Sequence, residues 1–184
     1  KPDFMPGGEF IFSLGIITPK KNFLTLLFLL KHYSSLNLII AGINTHQYAQ
    51  TIKDEAKKMG VEKRLIMPGA VSDEEKYWLY ANCKAFVLPS ISEGFGLPVV
   101  EAMSVGKPVF LSNCASLPEI GGKEVYYWNS FEPNHMNKVF ENGMNDFTND
   151  LEKTNRLKQW ANRFSWSNAA KEYQHLYLSL SENG

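Results

Sequence analysis

Apolar residues in this chain fall into short blocks separated by longer mixed stretches. The blocks at 10–16, 36–41, 65–67, 85–88, 108–111 and 124–128 predict strands. The stretches at 22–33, 45–59, 72–82 and 98–105, with a single turn at 116–120, predict helices. Local signals agree with these bounds. Gly60 is a good helix stop. Ser72 and Glu75 have the spacing of a capping box, and Ser116 and Glu119 repeat it. Pro98 suits a first helical turn, where its missing N–H is no loss. The helix at 22–33 is apolar nearly all round, which predicts burial. The strand blocks around Leu38 and Phe86 are continuously apolar rather than alternating, the mark of strands covered on both faces. Strand and helix alternate throughout, so the fold class is α/β: a Rossmann-like parallel sheet of about six strands with helices on both faces. This core occupies about 10–130, and a helical segment at about 133–181, broken near Asn149 and at Phe164–Ser165, completes one domain spanning 1–184.

Composition narrows the function classes. The 184 residues balance 19 Lys+Arg against 19 Asp+Glu, so neither nucleic acid nor an anionic membrane surface is the expected main partner. Cys83 and Cys114 are too few for a disulfide framework and lack metal-site spacing, which leaves burial as small apolar residues. The longest apolar run, 23–30, is far short of the roughly 20 residues a bilayer requires, so no transmembrane segment is expected. No Asp-x-Asp pair occurs, and His32, His46, His135 and His175 are scattered, so no metal or other cofactor is expected. The chain opens on Lys1 and reaches a strand within ten residues, and it reads as part of a longer protein.

In open parallel sheets, ligands sit outside the carboxyl ends of the strands. The loop that follows the strand at 85–88 carries the most chemistry: Ser90-Ile-Ser-Glu93-Gly94-Phe95-Gly96-Leu97-Pro98-Val-Val-Glu101-Ala. Gly94 and Gly96 permit a tight turn close to a ligand. Amides near Gly96 and Leu97 would open a helix N-terminus, which favours anions. Glu101, read as lying in the first helical turn, is favoured there in its ionised form. An ionised carboxylate accepts two hydrogen bonds at once, and its small-molecule complement is a vicinal diol such as a ribose. Glu93, one loop earlier, is placed to accept hydroxyls from a second sugar. A phosphate between two carboxylates needs a cation, and Lys20 and Lys21 after the first strand are the candidates. Ser90 and Ser92 have no histidine at a motif spacing and read as local backbone partners. Trp78 and Tyr80 read as helix packing.

These residues resemble a family. Glu93-Gly-Phe-Gly-Leu-Pro-x-x-Glu101-Ala is similar to the E-x7-E motif of retaining GT-B glycosyltransferases of glycosyltransferase family 4, the glycosyl transferases group 1. Gly15 with Pro19-x-Lys21-Asn22, Leu38-Ile-Ile-Ala-Gly42, Pro68-Gly69-Ala-Val71, Gly106-Lys-Pro108-Val109, Leu117-Pro118-Glu119-Ile120 and Phe164-Ser-Trp166 resemble its other landmarks in the same order. The resemblance implies one half of a GT-B fold, the C-terminal donor-binding domain, without its N-terminal acceptor domain. It implies a UDP- or GDP-linked sugar as donor substrate and a carbohydrate or lipid-linked acceptor reached through the absent domain. It further implies that Glu101 holds the ribose, Glu93 contacts the transferred sugar and Lys21 binds the diphosphate. Gly15, Gly94, Phe95, Gly96 and Leu97 would line the donor, Val71 would meet the base, and Glu119 would lie nearby. The location implied is cytoplasmic, or peripheral to a membrane through the absent domain. The fragment alone is expected to be inactive.

One position departs from the pattern. Ile16 stands where the family commonly has an arginine, and a guanidinium clamping the diphosphate contributes about 1.5–3 kcal/mol. That loss is what favours the alternative reading, a nucleotide- or sugar-binding module with a degraded donor site and no catalysis.

Overall fold

A computed structural model describes residues 1–5 and 7–181; Pro6 and the last three positions of the expected 1–184 domain lie outside the described residues. Six strands form one sheet: β1 (Phe10–Leu14), β2 (Asn37–Ala41), β3 (Leu65–Gly69), β4 (Ala85–Leu88), β5 (Val109–Ser112) and β6 (Tyr126–Trp128). All their pairings are parallel, in the order β3-β2-β1-β4-β5-β6. The helices are α1 (Leu27–His32), α2 (Gln47–Lys58), α3 (Asp73–Asn82), α4 (Leu97–Ser104), α5 (Leu117–Gly121), α6 (Pro133–Asn149), α7 (Lys153–Ala161) and α8 (Trp166–Ser181). β2 and β4 are buried along their whole length, as the apolar runs 38–41 and 85–88 require, and Asn37 at the start of β2 donates to the Gly7 and Glu9 carbonyls.

The strands are laid down from β1 to β3 in one direction and from β4 to β6 in the other, and this change of direction puts the connecting helices on opposite faces. On one side, α1 packs against α6. There Phe110 stacks on Tyr126 and Trp128 and meets Phe140 of α6. On the other side, α4 packs against α5 and α7, and α3 lies beside α4. Beneath α3, Phe10 stacks on Trp78, and Phe12 meets Tyr80 and Phe86 edge-on.

The chain reverses direction across the sheet between β1 and β4. Here the ladder covers only Ile11–Ala85 and Phe12–Phe86, whereas β1 and β2 pair over five residues. The Ser13 hydroxyl extends the seam by donating to the Val87 carbonyl at 2.6 Å. Above it, the Ile91 amide donates to the Lys20 carbonyl at 2.9 Å, tying the loop after β4 to the loop after β1.

Several local expectations need correction. The helix expected over 22–33 is a 3-10 turn, Phe23–Leu26, running into α1, because Asn22 takes a left-handed conformation and the Leu24 amide donates to the Tyr48 hydroxyl. Its burial holds: Leu26, Leu27, Leu29 and Leu30 are inaccessible. The capping box at Ser72 and Glu75 forms with both of its hydrogen bonds. The Ser116 copy does not form: Ser116 is itself helical, and its hydroxyl is directed to the Glu93 and Phe95 carbonyls. Cys83 is buried, and burial pushes its thiol up to about 12, but Cys114 is only half-buried.

The C-terminal helices differ in how they are held. Arg156 of α7 pairs with Asp150 and, at 2.9 Å, with Glu124. Lys153 pairs with Asp146 at 3.2 Å. In α8, by contrast, every residue over 166–180 except Ala169 is exposed. Among the described residues, no helix is long and apolar enough to cross a membrane.

Candidate functional site

Loops at the carboxyl ends of β1 and β4 meet over the seam. After β1, the chain passes Gly15 and turns through a short 3-10 helix, Pro19–Lys21, whose last residue points its side chain back over Gly15. A Cβ on Gly15 would lie 3.0 Å from the Lys21 Cε. Gly42 is more tightly constrained: at φ +131°, its Cβ would fall 2.0 Å from the Gly15 carbonyl oxygen. Glycine at 42 therefore lets the loops after β1 and β2 touch, and this seats Lys21.

Across the seam, the Lys21 Nζ donates to the Glu93 Oε1 at 2.5 Å. The two residues are 72 positions apart in sequence. Both side chains are largely buried, at 17% and 10% exposure, so the pair is shielded from the screening that weakens surface ion pairs. Ser90, fully buried, donates to the same Glu93 oxygen at 2.7 Å. Its carbonyl accepts from the Ser112 hydroxyl at the end of β5. Ser90 is thus a support for Glu93, not the local backbone partner its sequence position suggested.

The glycine turn opens α4. Gly96, at φ +96°, is its left-handed N-cap, and no side chain caps this helix. Leu97 and Pro98 occupy the first turn. Gly94, expected to share the sharp turn, has no positive φ and stands in open space. Phe95 and Leu97 are exposed, and Phe95 meets Phe164 edge-on at 5.9 Å.

Glu101 is the fifth residue of α4, beyond the first turn in which it was expected. The helix dipole fades over that distance, so other groups hold the carboxylate. Two on α3 do so: the Tyr80 hydroxyl donates to Oε2 at 2.8 Å, and the Lys76 Nζ donates to Oε1 at 3.2 Å. Burial, and then the nearby Glu101 charge, push the Tyr80 phenol far above its usual range. Hydrogen bonding to Asp73, and then to Glu101, raises Lys76. Neither residue was singled out as functional from sequence, where Tyr80 read as packing. Their four-residue spacing puts both on one face of α3, and that is the signal a closer reading could use.

The structure therefore joins Gly15, Lys21, Glu93 and the turn at 94–97, while Glu101 follows on α4, held by partners of its own on α3. Val71 is half-buried in the loop between β3 and α3. Glu119 is exposed in the first turn of α5, and the structure does not bring it into this group. Ile16 is exposed at the rim. A separate hollow of about 190 Å³ at the amino end of the sheet is lined by Glu9, Tyr33 and Lys84 and includes none of these residues.

Comparison with known proteins adds to this geometry. A family model described as glycosyl transferases group 1 matches residues 1–164. The serotype-specific mannosyltransferase WbdA of Escherichia coli is 36% identical over 173 residues, covering 88% of this chain and 21% of the relative. The GDP-mannose:cellobiosyl-diphosphopolyprenol alpha-mannosyltransferase of Komagataeibacter xylinus is 31% identical over 161 residues, covering 83% of this chain and 40% of that protein. Among solved structures, Anabaena Alr3699/HepE in complex with UDP-glucose superposes with a TM-score of 0.74 at 20% identity, covering 96% of this chain and 49% of the other. The chain thus spans half or less of the length of these proteins.

Proposed function

Because the chain belongs to the glycosyl transferases group 1 family and folds as one half of a GT-B glycosyltransferase, we propose that it is the donor-binding domain of a retaining, family 4 enzyme. In this reading, residues 1–184 bind a nucleotide-diphosphate sugar, and a separate domain presents a carbohydrate or lipid-linked acceptor. Both relatives are named mannosyltransferases, and one carries GDP-mannose in its name, which supports GDP-mannose as the donor. Such an enzyme works in the cytoplasm, and at a membrane surface when its acceptor is lipid-linked.

The observation that carries the reading is the Lys21–Glu93 pair at the β1–β4 seam, where the strand order changes direction. One ammonium group and one carboxylate, from loops 72 residues apart, are held in contact where a ligand of an open sheet belongs. On donor binding, Lys21 and the uncapped N-terminus of α4 face the diphosphate and stabilise the charge that develops as it leaves. Glu93, steadied by Ser90, accepts hydroxyls of the transferred sugar, and Glu101 accepts those of the ribose. Most of the contribution is positioning. No divalent metal enters this scheme, and the amides at 94–97 complete the cradle.

Titration of the chain with GDP-mannose, and with UDP-sugars in parallel, tests the reading. Millimolar or tighter binding is expected, and Glu101→Ala should abolish it; unchanged affinity in that variant overturns the ribose assignment. The second reading, a binding module without transfer, rests on Ile16 alone, exposed and without a guanidinium, and the transferase relatives do not favour it. Turnover of GDP-mannose by a longer protein containing both domains separates the two.

A further inference from the structure

We propose that Tyr80 is a positioning residue that fixes Glu101 in the orientation needed to grip a vicinal diol; this rests on reading Glu101 as the ribose-binding carboxylate. The carboxylate end of a glutamate turns freely about its last torsion, which is broad and roughly two-fold. Ordering it on ligand binding has an entropic cost. Here that order exists in advance. Tyr80 is only 2% exposed, and its ring is wedged 5.0 Å from Phe12 and 5.4 Å from Phe86. Its hydroxyl donates to one Glu101 oxygen at 2.8 Å, while Lys76, part-exposed and shared with Asp73, reaches the other at 3.2 Å. A carboxylate offers about four lone-pair positions. The two contacts from α3 occupy one on each oxygen and leave one on each for the ligand, the number a pair of adjacent hydroxyls requires. Of the two supports, Tyr80 is the rigid one, since its aromatic neighbours fix the ring. Its buried phenol remains a protonated donor throughout the working pH range.

The test is isothermal titration of the 184-residue chain with GDP and with 2′,3′-dideoxy-GDP, and with the matching uridine pair. Tyr80→Phe removes one oxygen and keeps the ring packing; a thermal melt confirms the fold. It should weaken binding of the ribonucleotide by roughly two- to tenfold, the cost of ordering one side chain that the free protein no longer holds in place. The dideoxy form should bind Tyr80→Phe and the parent equally well. Lys76→Met, which removes the other support from α3 and leaves Tyr80 in place, should cost the ribonucleotide less than Tyr80→Phe does. Unchanged ribonucleotide affinity in Tyr80→Phe, or an equal loss for both nucleotides, overturns the positioning role while leaving the ribose assignment intact. If Glu101→Ala itself has no effect, or the parent chain binds neither nucleotide at millimolar concentration, the ribose assignment fails and takes the positioning role with it.

Discussion

Gly42 shows how a single position can set a site it does not touch. Its missing side chain lets the Gly15 carbonyl approach, and Gly15 in turn supports the Lys21 side chain. Gly42→Ala combines a left-handed backbone with a 2.0 Å clash against main chain, which cannot swing aside. A loss of roughly 2–4 kcal/mol in a urea denaturation series is expected. At this scale the sequence was informative where the residue type is itself the signal. Glu93 stands out because a carboxylate beside a glycine turn in a strand-end loop has few structural uses, Glu101 because its spacing completes the same motif, and Lys21 chiefly through the family resemblance. Tyr80 and Lys76 did not stand out, because a tyrosine and a lysine on a helix are ordinary, and only the packing of α3 beside α4 gives them Glu101 as a partner. The same limit hid the role of Ser90: its neighbour Glu93 is three residues away, but the direction of its hydroxyl depends on Lys21 and Ser112.

Elements are bounded by local chemistry when the local partner is free, and by tertiary contacts when it is not. Ser72 caps α3 because its hydroxyl is free to reach the Glu75 amide at 3.2 Å. Ser116 has the same spacing but faces the Glu93 loop, and that contact takes its hydroxyl. The junction of α6 and α7 is held by charge. The Tyr126 hydroxyl, and then Lys153, hold the Asp146 carboxyl below its usual value, and Arg156 does the same for Asp150. A carboxyl lowered on folding contributes stability that is complete above its unfolded value, near 3.8, and is lost as pH falls through the folded one. Asp150→Asn should therefore lower the melting midpoint at neutral pH, and the gap to the parent should narrow as the pH is taken from neutral to below 3.8 and the parent's own carboxyl takes up its proton. Melting curves of both chains across that range provide the check; a gap that persists in acid would mean that the ion pair is not its source.

At the scale of the whole molecule, alternation of strand and helix was enough to foresee a parallel sheet covered on both faces, since continuous apolar blocks such as 38–41 tolerate no wet side. The crevice was only half foreseen. Strand-end loops were the right place to look, but that the β1–β4 seam would bring two of them together follows from sheet order, which hydrophobic pattern does not encode. Nor does pattern reveal whether the apolar face of an amphipathic helix at the edge of the fold is covered. The periodicity of α8 gives a helix, yet it lies open, with Trp166 at 88% exposure and Tyr173 and Tyr177 stacked on its surface. This openness provides an optical handle. Of the four tryptophans, Trp128 is enclosed, Trp78 and Trp160 are half-covered, and Trp166 alone is fully wetted. Its emission should therefore lie furthest to the red and be the most readily quenched by iodide. A polypeptide that settles over α8 would shift that signal to the blue, whereas a nucleotide lodged beside Glu93 would leave it in place, so one spectrum distinguishes the two events.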